Sequence, residues 1–419
     1  MAVQLQVRFI TKQRKYAVPN TPFTVPSSVG SNELNSLINE LLKGNDPEKC
    51  YREIDFDFLV YGEVLRVPLS DHLEEHSISS EVTVDVEYFE RVPAPEPHDC
   101  LLHDDWVSAV QVRDGWILSG CYDNTLHLWT AKGKHQLTIP GHTGPVKAVA
   151  WVTHDDMLAT FVSASHDQTA MLWEWNVSTN AVECIHVCRG HERGLECAGV
   201  SPCQSRMATG GWDTHLKIWS ADIHEKSNEG RESVSKRLKT EHGMSQVRTP
   251  LMTLKGHKEA ISAVQWTDTS EICTASWDHT LRLWDTVIGG IKSEIVGNKS
   301  FFDASWSPLS GMLITASADK HIRLYDPRSN EGSLVKSTFT SHTQWVQSVR
   351  WSTIEDHLFI SGSYDQQVKL WDSRSPKAPL FDLTGHDGKV LCCDWSKPEL
   401  IVSGGSDNTL RIFHSNQHK

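Results

Sequence analysis

Histidine, a hydroxyl residue and aspartate recur together along this chain at spacings that invite a nucleophilic reading. The segments YDNTLHLW, HDQTAMLW, WDTHLKIW, WDHTLRLW, ADKHIRLY, YDQQVKLW and SDNTLRIF each place an aspartate six residues before an aromatic. The pairs are Asp123/Trp129, Asp167/Trp173, Asp213/Trp219, Asp278/Trp284, Asp319/Tyr325, Asp365/Trp371 and Asp407/Phe413. Four residues before each aspartate stands a hydroxyl: Ser119, Ser163, Thr209, Thr274, Thr315, Ser361 and Ser403. A histidine stands 20 to 25 residues upstream in six of the seven units: His103, His142, His191, His257, His342 and His386. Gly297 holds that slot in the fifth unit. Serine, histidine and aspartate are the ingredients of a nucleophilic triad. A triad is needed once, whereas this set recurs with an aromatic as its fourth member. The structural reading follows: an aspartate in a tight turn accepts from histidine, and buried polar groups are thereby satisfied. His142, Asp167 and Trp173, and His257, Asp278 and Trp284, are expected to show this network. No Walker loop, nucleophile elbow or HExxH motif is present. No catalytic residue is assigned, and the chain is expected not to be an enzyme.

Metal-ligating residue types give little. Cys184, His186 and Cys188 alternate, so on a strand all three would face one way. A fourth ligand is missing there, and none of the ten cysteines sits in a CxxC pair. No metal and no other cofactor of the chain's own is expected. A reducing compartment suits these cysteines better than a disulfide framework.

The elements that must carry the repeated residues are short alternating strands separated by turns. Such a period describes four-stranded sheets arranged radially. Five units also place a tryptophan nine residues after the histidine slot: Trp151, Trp266, Trp306, Trp351 and Trp395. Residues 103–419 resemble the Trp-Asp (WD) repeat family, and seven units imply a seven-bladed β-propeller. A propeller absorbs about 300 residues as one domain. The seventh unit runs out of chain before a fourth strand, which would leave an open edge. Glu96–Leu102 is expected to close it, as the resemblance also implies. Trp212 and Trp277 directly precede their turn aspartates, as do Tyr122 and Tyr364. Trp106 and Trp345 lie three residues after their histidine slots. In this family both positions border loops on one face, so these six aromatics are candidates for partner binding. The alternative is packing between blades.

Residues 1–92 carry no repeat. QLQVRFIT alternates as a strand and FTVPSS reads as its hairpin partner. SNELNSLINELL has the apolar spacing of a helix, with Ser31 or Asn32 as cap and Gly44 as its end. FDFLVYGEVLR reads as strand, turn, strand; LSDHLEEHSI as a short turn-helix; EVTVDVEYF as the last strand. The order resembles ubiquitin. The fold class is thus an all-β seven-bladed WD-repeat propeller preceded by a small α+β ubiquitin-like (β-grasp) domain. Conjugated ubiquitin-like proteins end in Gly-Gly. Here Arg91-Val92-Pro93-Ala94-Pro95-Glu96-Pro97 follows, so residues 93–102 are read as a stiff linker and closing strand. The domain should dock, not conjugate.

Together the two halves resemble the ribosome-biogenesis WD-repeat family that works with pescadillo and the block-of-proliferation protein. That resemblance implies a non-enzymatic assembly-factor scaffold for maturation of the large ribosomal subunit, on the pre-60S particle, in nucleolus and nucleoplasm. It implies that the ubiquitin-like domain docks on midasin, an AAA-type ATPase whose Mg²⁺ site takes a carboxylate from its client. Glu81 is the residue that matches that acid. Mg²⁺ favours oxygen ligands, so a carboxylate in trans is chemically apt. Read from the residues alone, Glu81 is a solvated acid near Glu74, Glu75 and Asp85.

The spacing between successive turn aspartates jumps to 65 between units three and four, against 41 to 46 elsewhere. The excess, about 222–249, is polar and expected to be disordered. Lys236, Arg237 and Lys239 within it read either as a nuclear import signal or as solvated loop lysines and arginine. The formal charge of −13 argues against coating nucleic acid through bulk charge, while direct rRNA contact stays open. No membrane association is expected, since no apolar run reaches the roughly 18 residues of a span. A second function is also compatible. Trp371-Asp372-Ser373-Arg374 and Tyr325-Asp326-Pro327-Arg328 resemble the WDxR pattern of substrate receptors for cullin-type ubiquitin ligases.

Overall fold

The computed structural model describes residues 4–45, 53–76, 78, 82–155, 157–223, 238–240, 243–328 and 335–415. The chain divides into two compact units, Met1–Pro93 and Ala94–Lys419.

In the first unit, β1 (Gln4–Ile10), β2 (Phe23–Pro26), β3 (Phe56–Val60), β4 (Glu63–Val64) and β5 (Val84–Glu90) form one sheet in the order β2-β1-β5-β3-β4. β1 and β5 run parallel at its centre, and the other pairs are antiparallel. Alternation along β1 buries Leu5, Val7 and Phe9 on one face. Helix α1 (Ser31–Asn45) lays Leu34, Ile38 and Leu42 into the same core, the i, i+4, i+8 stripe of an amphipathic helix. Asn39 fastens it: its Nδ2 donates to the Ile54 carbonyl (2.8 Å) and its Oδ1 accepts from the Ile54 amide (3.1 Å). Tyr61 and Gly62 both have positive φ, the geometry of a tight two-residue hairpin turn between β3 and β4. A second helix, α2 (Leu69–Glu75), precedes β5. Two details of α1 differ from the sequence expectation. Glu33 Oε2 reaches back to the Gly30 amide (3.0 Å), so the N-terminal cap lies one residue earlier than Ser31. Gly44 lies inside the helix without positive φ, so it does not end it.

Among the described residues the second unit is built of seven sheets, called blades, each with four antiparallel strands a to d running outward. Blade 1 comprises Val107–Arg113, Trp116–Cys121, Leu126–Thr130 and His135–Ile139. Strand a of each blade packs on strand a of the next, and that of blade 7 (Val390–Lys397) packs on blade 1, so the ring is closed. Apolar clusters fill the spaces between neighbours. Leu118 and Leu128 of blade 1, for example, meet Phe161 and Trp173 of blade 2. The fourth strand of blade 7 is Glu96–Leu102, antiparallel to Thr409–His414 with Leu102 opposite Thr409.

Two expectations fail here. In blade 2, Cys184 stands opposite Trp173 while His186 stands opposite the adjacent Leu172, because a β-bulge intervenes. Cys184 therefore packs with Trp173, whereas Cys188 packs with Leu172 on the other side of the sheet. The three residues do not share a face. Disorder over 222–249 does not hold at the C-terminal end either. Gly243–Arg248 forms a strand that pairs in parallel with blade 2 strand d (Ala181–Arg189), with His186 opposite Gln246. The outer strand of any blade presents unpaired backbone groups, and the returning chain uses them. Arg248 Nη1 anchors it on the Ser220 carbonyl (2.7 Å).

Candidate interaction face

The repeated hydroxyls, histidines and aspartates meet in five blades as closed networks. His142 Nδ1 donates to Asp167 (2.7 Å), and its Nε2 pairs with Ser163 Oγ (2.7 Å), which also accepts from Trp173 Nε1 (2.8 Å). His257, Asp278, Thr274 and Trp284 repeat this at 2.9, 2.7 and 2.8 Å. Ser163 and Thr274 are fully buried, and both ring partners occupy the hydroxyl. Such a group has no path to a substrate.

The aspartate is required by its turn. In all seven blades the residue after it has positive φ, from Asn124 to Asn408, although none is glycine. In each, aspartate Oδ1 accepts the amide two residues on, which stabilises the strained turn. Burial pushes the Asp167 carboxyl up, but His142, Thr169 and the Thr143 amide outweigh it and hold it at about 2. Blade 5, which lacks the histidine, replaces it with Arg323 on Asp319. Blade 1 departs differently: His103 Nε2 holds Ser119 (2.9 Å), yet its Nδ1 has no hydrogen-bond partner.

The turns after strand b and the loops before strand a adjoin at one end of the ring. The Tyr122 amide donates to the Trp106 carbonyl (3.0 Å), and Tyr364 does the same to Trp345 (2.9 Å). The candidate aromatics gather there in pairs: Trp106 with Tyr122 (ring centroids 5.3 Å), Trp212 with Trp277 (5.1 Å) and Trp345 with Tyr364 (5.8 Å). Trp106, Trp212 and Trp345 are 44%, 42% and 47% exposed, more than a packed core position allows. Their partners are half-buried.

A charged centre that sequence reasoning missed lies among them. Lys147 Nζ donates to Tyr122 Oη (3.0 Å) and faces Glu196 (3.5 Å), whose carboxylate also takes His166 Nε2 (2.8 Å) and Trp212 Nε1 (2.5 Å). Burial pushes Glu196 up, but Lys147, His166 and Trp212 outweigh it and hold it at about 2. Burial likewise disfavours the Lys147 cation, and Glu196 with Tyr122 reverses the effect and raises its pKa. Lys389 lies over the Tyr364 ring at 4.7 Å. Each strand a has a register shift after its first residue, and the residue skipped is Ser108, Lys147, Glu196, Ser262, Phe302, Gln347 or Leu391. All seven line the mouth of the central channel. Each lies five residues after its histidine slot. That spacing was the signal available.

Comparison with known proteins joins both units. The NLE (NUC135) domain model matches residues 5–73, and the WD domain, G-beta repeat model matches seven stretches between residues 98 and 414. "Ribosome biogenesis protein WDR12 homolog" of Culex quinquefasciatus is 59% identical over 98% of this chain and 96% of its own length. The proteins of that name from Aedes aegypti and Drosophila virilis are 57% and 58% identical over the same shares. The chain belongs to the WDR12 family of ribosome biogenesis proteins. Relatives in this family span both units of the chain, so the ubiquitin-like unit and the propeller belong to one conserved architecture.

The remaining candidates fall unevenly on the structure. Glu81 lies outside the described residues, as do Lys236 and Arg237; the backbone of Lys239 lies in the short strand Leu238–Thr240. Among the acids near Glu81, Asp85 is taken by Arg8 through two hydrogen bonds (2.7 and 2.6 Å). In the WDxR-like segments, Arg374 turns onto Asp372 (2.9 and 2.6 Å) and Arg328 onto Asp326 (3.1 Å). Both arginines are thus engaged within their own motif. Among the described residues no helix is long and apolar enough to cross a membrane.

Proposed function

We propose that this chain is a non-enzymatic scaffold in ribosome biogenesis, acting on the precursor of the large subunit in nucleolus and nucleoplasm. The observation that carries the reading is the end-to-end relationship to proteins named for ribosome biogenesis. The aromatic pairs, each with one exposed tryptophan, around a half-buried Lys147–Glu196 pair support it, since such a face suits a protein partner. Pescadillo and the block-of-proliferation protein are the partners expected at the propeller. The ubiquitin-like domain is the handle for a midasin-type ATPase, with Glu81 as ligand to the Mg²⁺ that the ATPase holds. A carboxylate that completes the motor's metal site would give it a point of attachment.

Native purification of the tagged full chain tests this reading. Recovery of pre-60S particles with pescadillo and the block-of-proliferation protein is the expected result. Recovery of a cullin and its adaptor instead would assign the chain to ubiquitin-ligase receptors, against the closed Asp–Arg pairs of its WDxR-like segments.

A further inference from the structure

Blade 1 differs from the other six at three positions that lie together. Two residues before the turn aspartate, blades 2, 4, 5 and 6 carry Ser165, Ser276, Ser317 and Ser363; blade 1 carries Cys121. Four residues after it, five blades carry lysine or arginine, such as Lys217 and Lys369; blade 1 carries His127. The ligating atoms of Cys121, Asp123 and His127 all lie within 4.8 Å of one another. Thr125 Oγ1 draws two of them together, donating to Asp123 (2.7 Å) and meeting His127 Nε2 (2.9 Å).

The third difference is His103. Its counterparts place Nδ1 on the turn aspartate at 2.7 to 3.0 Å. His103 keeps the same bond to its hydroxyl through Nε2, but its Nδ1 has no partner, in a side chain that is 8% exposed. Its ring lies 4.8 Å from that of His127. A buried imidazole nitrogen without a partner is costly, and five sister blades show how readily it is satisfied.

We propose that Cys121, Asp123 and His127 bind a zinc ion, with a water molecule as the fourth donor. A thiolate, an imidazole and a carboxylate suit a borderline-soft tetrahedral ion better than Mg²⁺ or Ca²⁺. The sequence alone predicts no metal here; the three residues fall within seven positions, and the turn between strands b and c brings their ligating atoms together. Burial pushes the Cys121 thiol up to about 12, so its proton must leave to bulk water as the Zn–S bond forms. The ion would hold strands b and c of blade 1 together beside His103, the residue directly after the ring-closing strand. His103 also donates its amide to the Asn408 carbonyl of blade 7 (2.9 Å), so the site sits on the seam of the ring.

The test uses the full chain in a background where Cys50, Cys100 and Cys203 are serine. Zinc is titrated against a chromophoric chelator, and Co²⁺ reports thiolate ligation through its charge-transfer absorption. The variants Cys121→Ser and His127→Lys install residues that sister blades already use, so both should fold. The expected result is one zinc per chain, a Tm raised by zinc, and loss of affinity in each variant beyond the roughly 10–100-fold of an outer-shell change. The charge-transfer band should vanish in Cys121→Ser. Absence of stoichiometric zinc in the parent chain overturns the proposal, as does wild-type affinity in both variants. If either variant misfolds, the parent decides: no cobalt–thiolate band means no site.

Discussion

Each repeat aspartate uses its two oxygens for different purposes. One caps a turn that forces the next residue to positive φ; the other, in five blades, holds the histidine. Asp278→Ala removes both, leaving the buried His257 and the turn amides without an acceptor. It should destabilise the propeller by about 1–3 kcal/mol, read as a lower Tm; an unchanged Tm would show that the network carries no stability. Asp167 adds a pH dependence. Its folded value of about 2 lies below the ordinary value near 4. The stability it contributes is therefore present above about pH 4 and fades as pH falls toward 2. The urea midpoint of Asp167→Asn should lie below wild type at pH 6, and the gap should close between pH 4 and the acid limit. A gap independent of pH would contradict the assignment. These residues were legible because seven copies align. Lys147 and Glu196 were not, because the bulge slot carries six residue types over the seven blades and only its position repeats.

At the level of elements, the ring is closed by a strand from the other end of the sequence. A chain beginning at Ala94 keeps Glu96–Leu102 beside Thr409–His414 and should melt as one cooperative unit. A chain beginning at His103 leaves that edge open. It should melt several degrees lower and self-associate, both visible by calorimetry with light scattering. Equal melting of the two would mean that the closing strand contributes little. Strand identity could be read from alternation and turn residues, and the helix α1 from its apolar stripe. The bulge that separates Cys184 from His186 could not, since a single extra residue leaves composition and alternation almost unchanged. Nor could Gly243–Arg248: Met244 and Val247 are too few to mark a strand, and what orders it is the free edge of blade 2, more than fifty residues upstream.

At the scale of the whole molecule, one unit is read as joining the particle and the other as providing the means of leaving it. Trp106→Ala and Trp345→Ala remove exposed anchors without touching the core. Each should weaken recovery of the propeller's partners by tenfold or more, about 1.4 kcal/mol or above, while Tm stays unchanged. Replacing Lys236, Arg237 and Lys239 with alanine should reduce nuclear entry of a partner-free chain, measured by imaging; unchanged accumulation would leave the cluster as an ordinary solvated loop. The family resemblance made the two-unit architecture legible from the N-terminal order of elements and the seven repeats together. What composition could not reveal is the proposed route off the particle, because that proposal turns on a single acid, Glu81. The most direct measurement is a comparison of wild type with Glu81→Ala on purified pre-60S particles given the ATPase, ATP and Mg²⁺. Wild type should be released and the variant retained, with both joining the particle equally well. Release of Glu81→Ala at the wild-type rate would contradict the account.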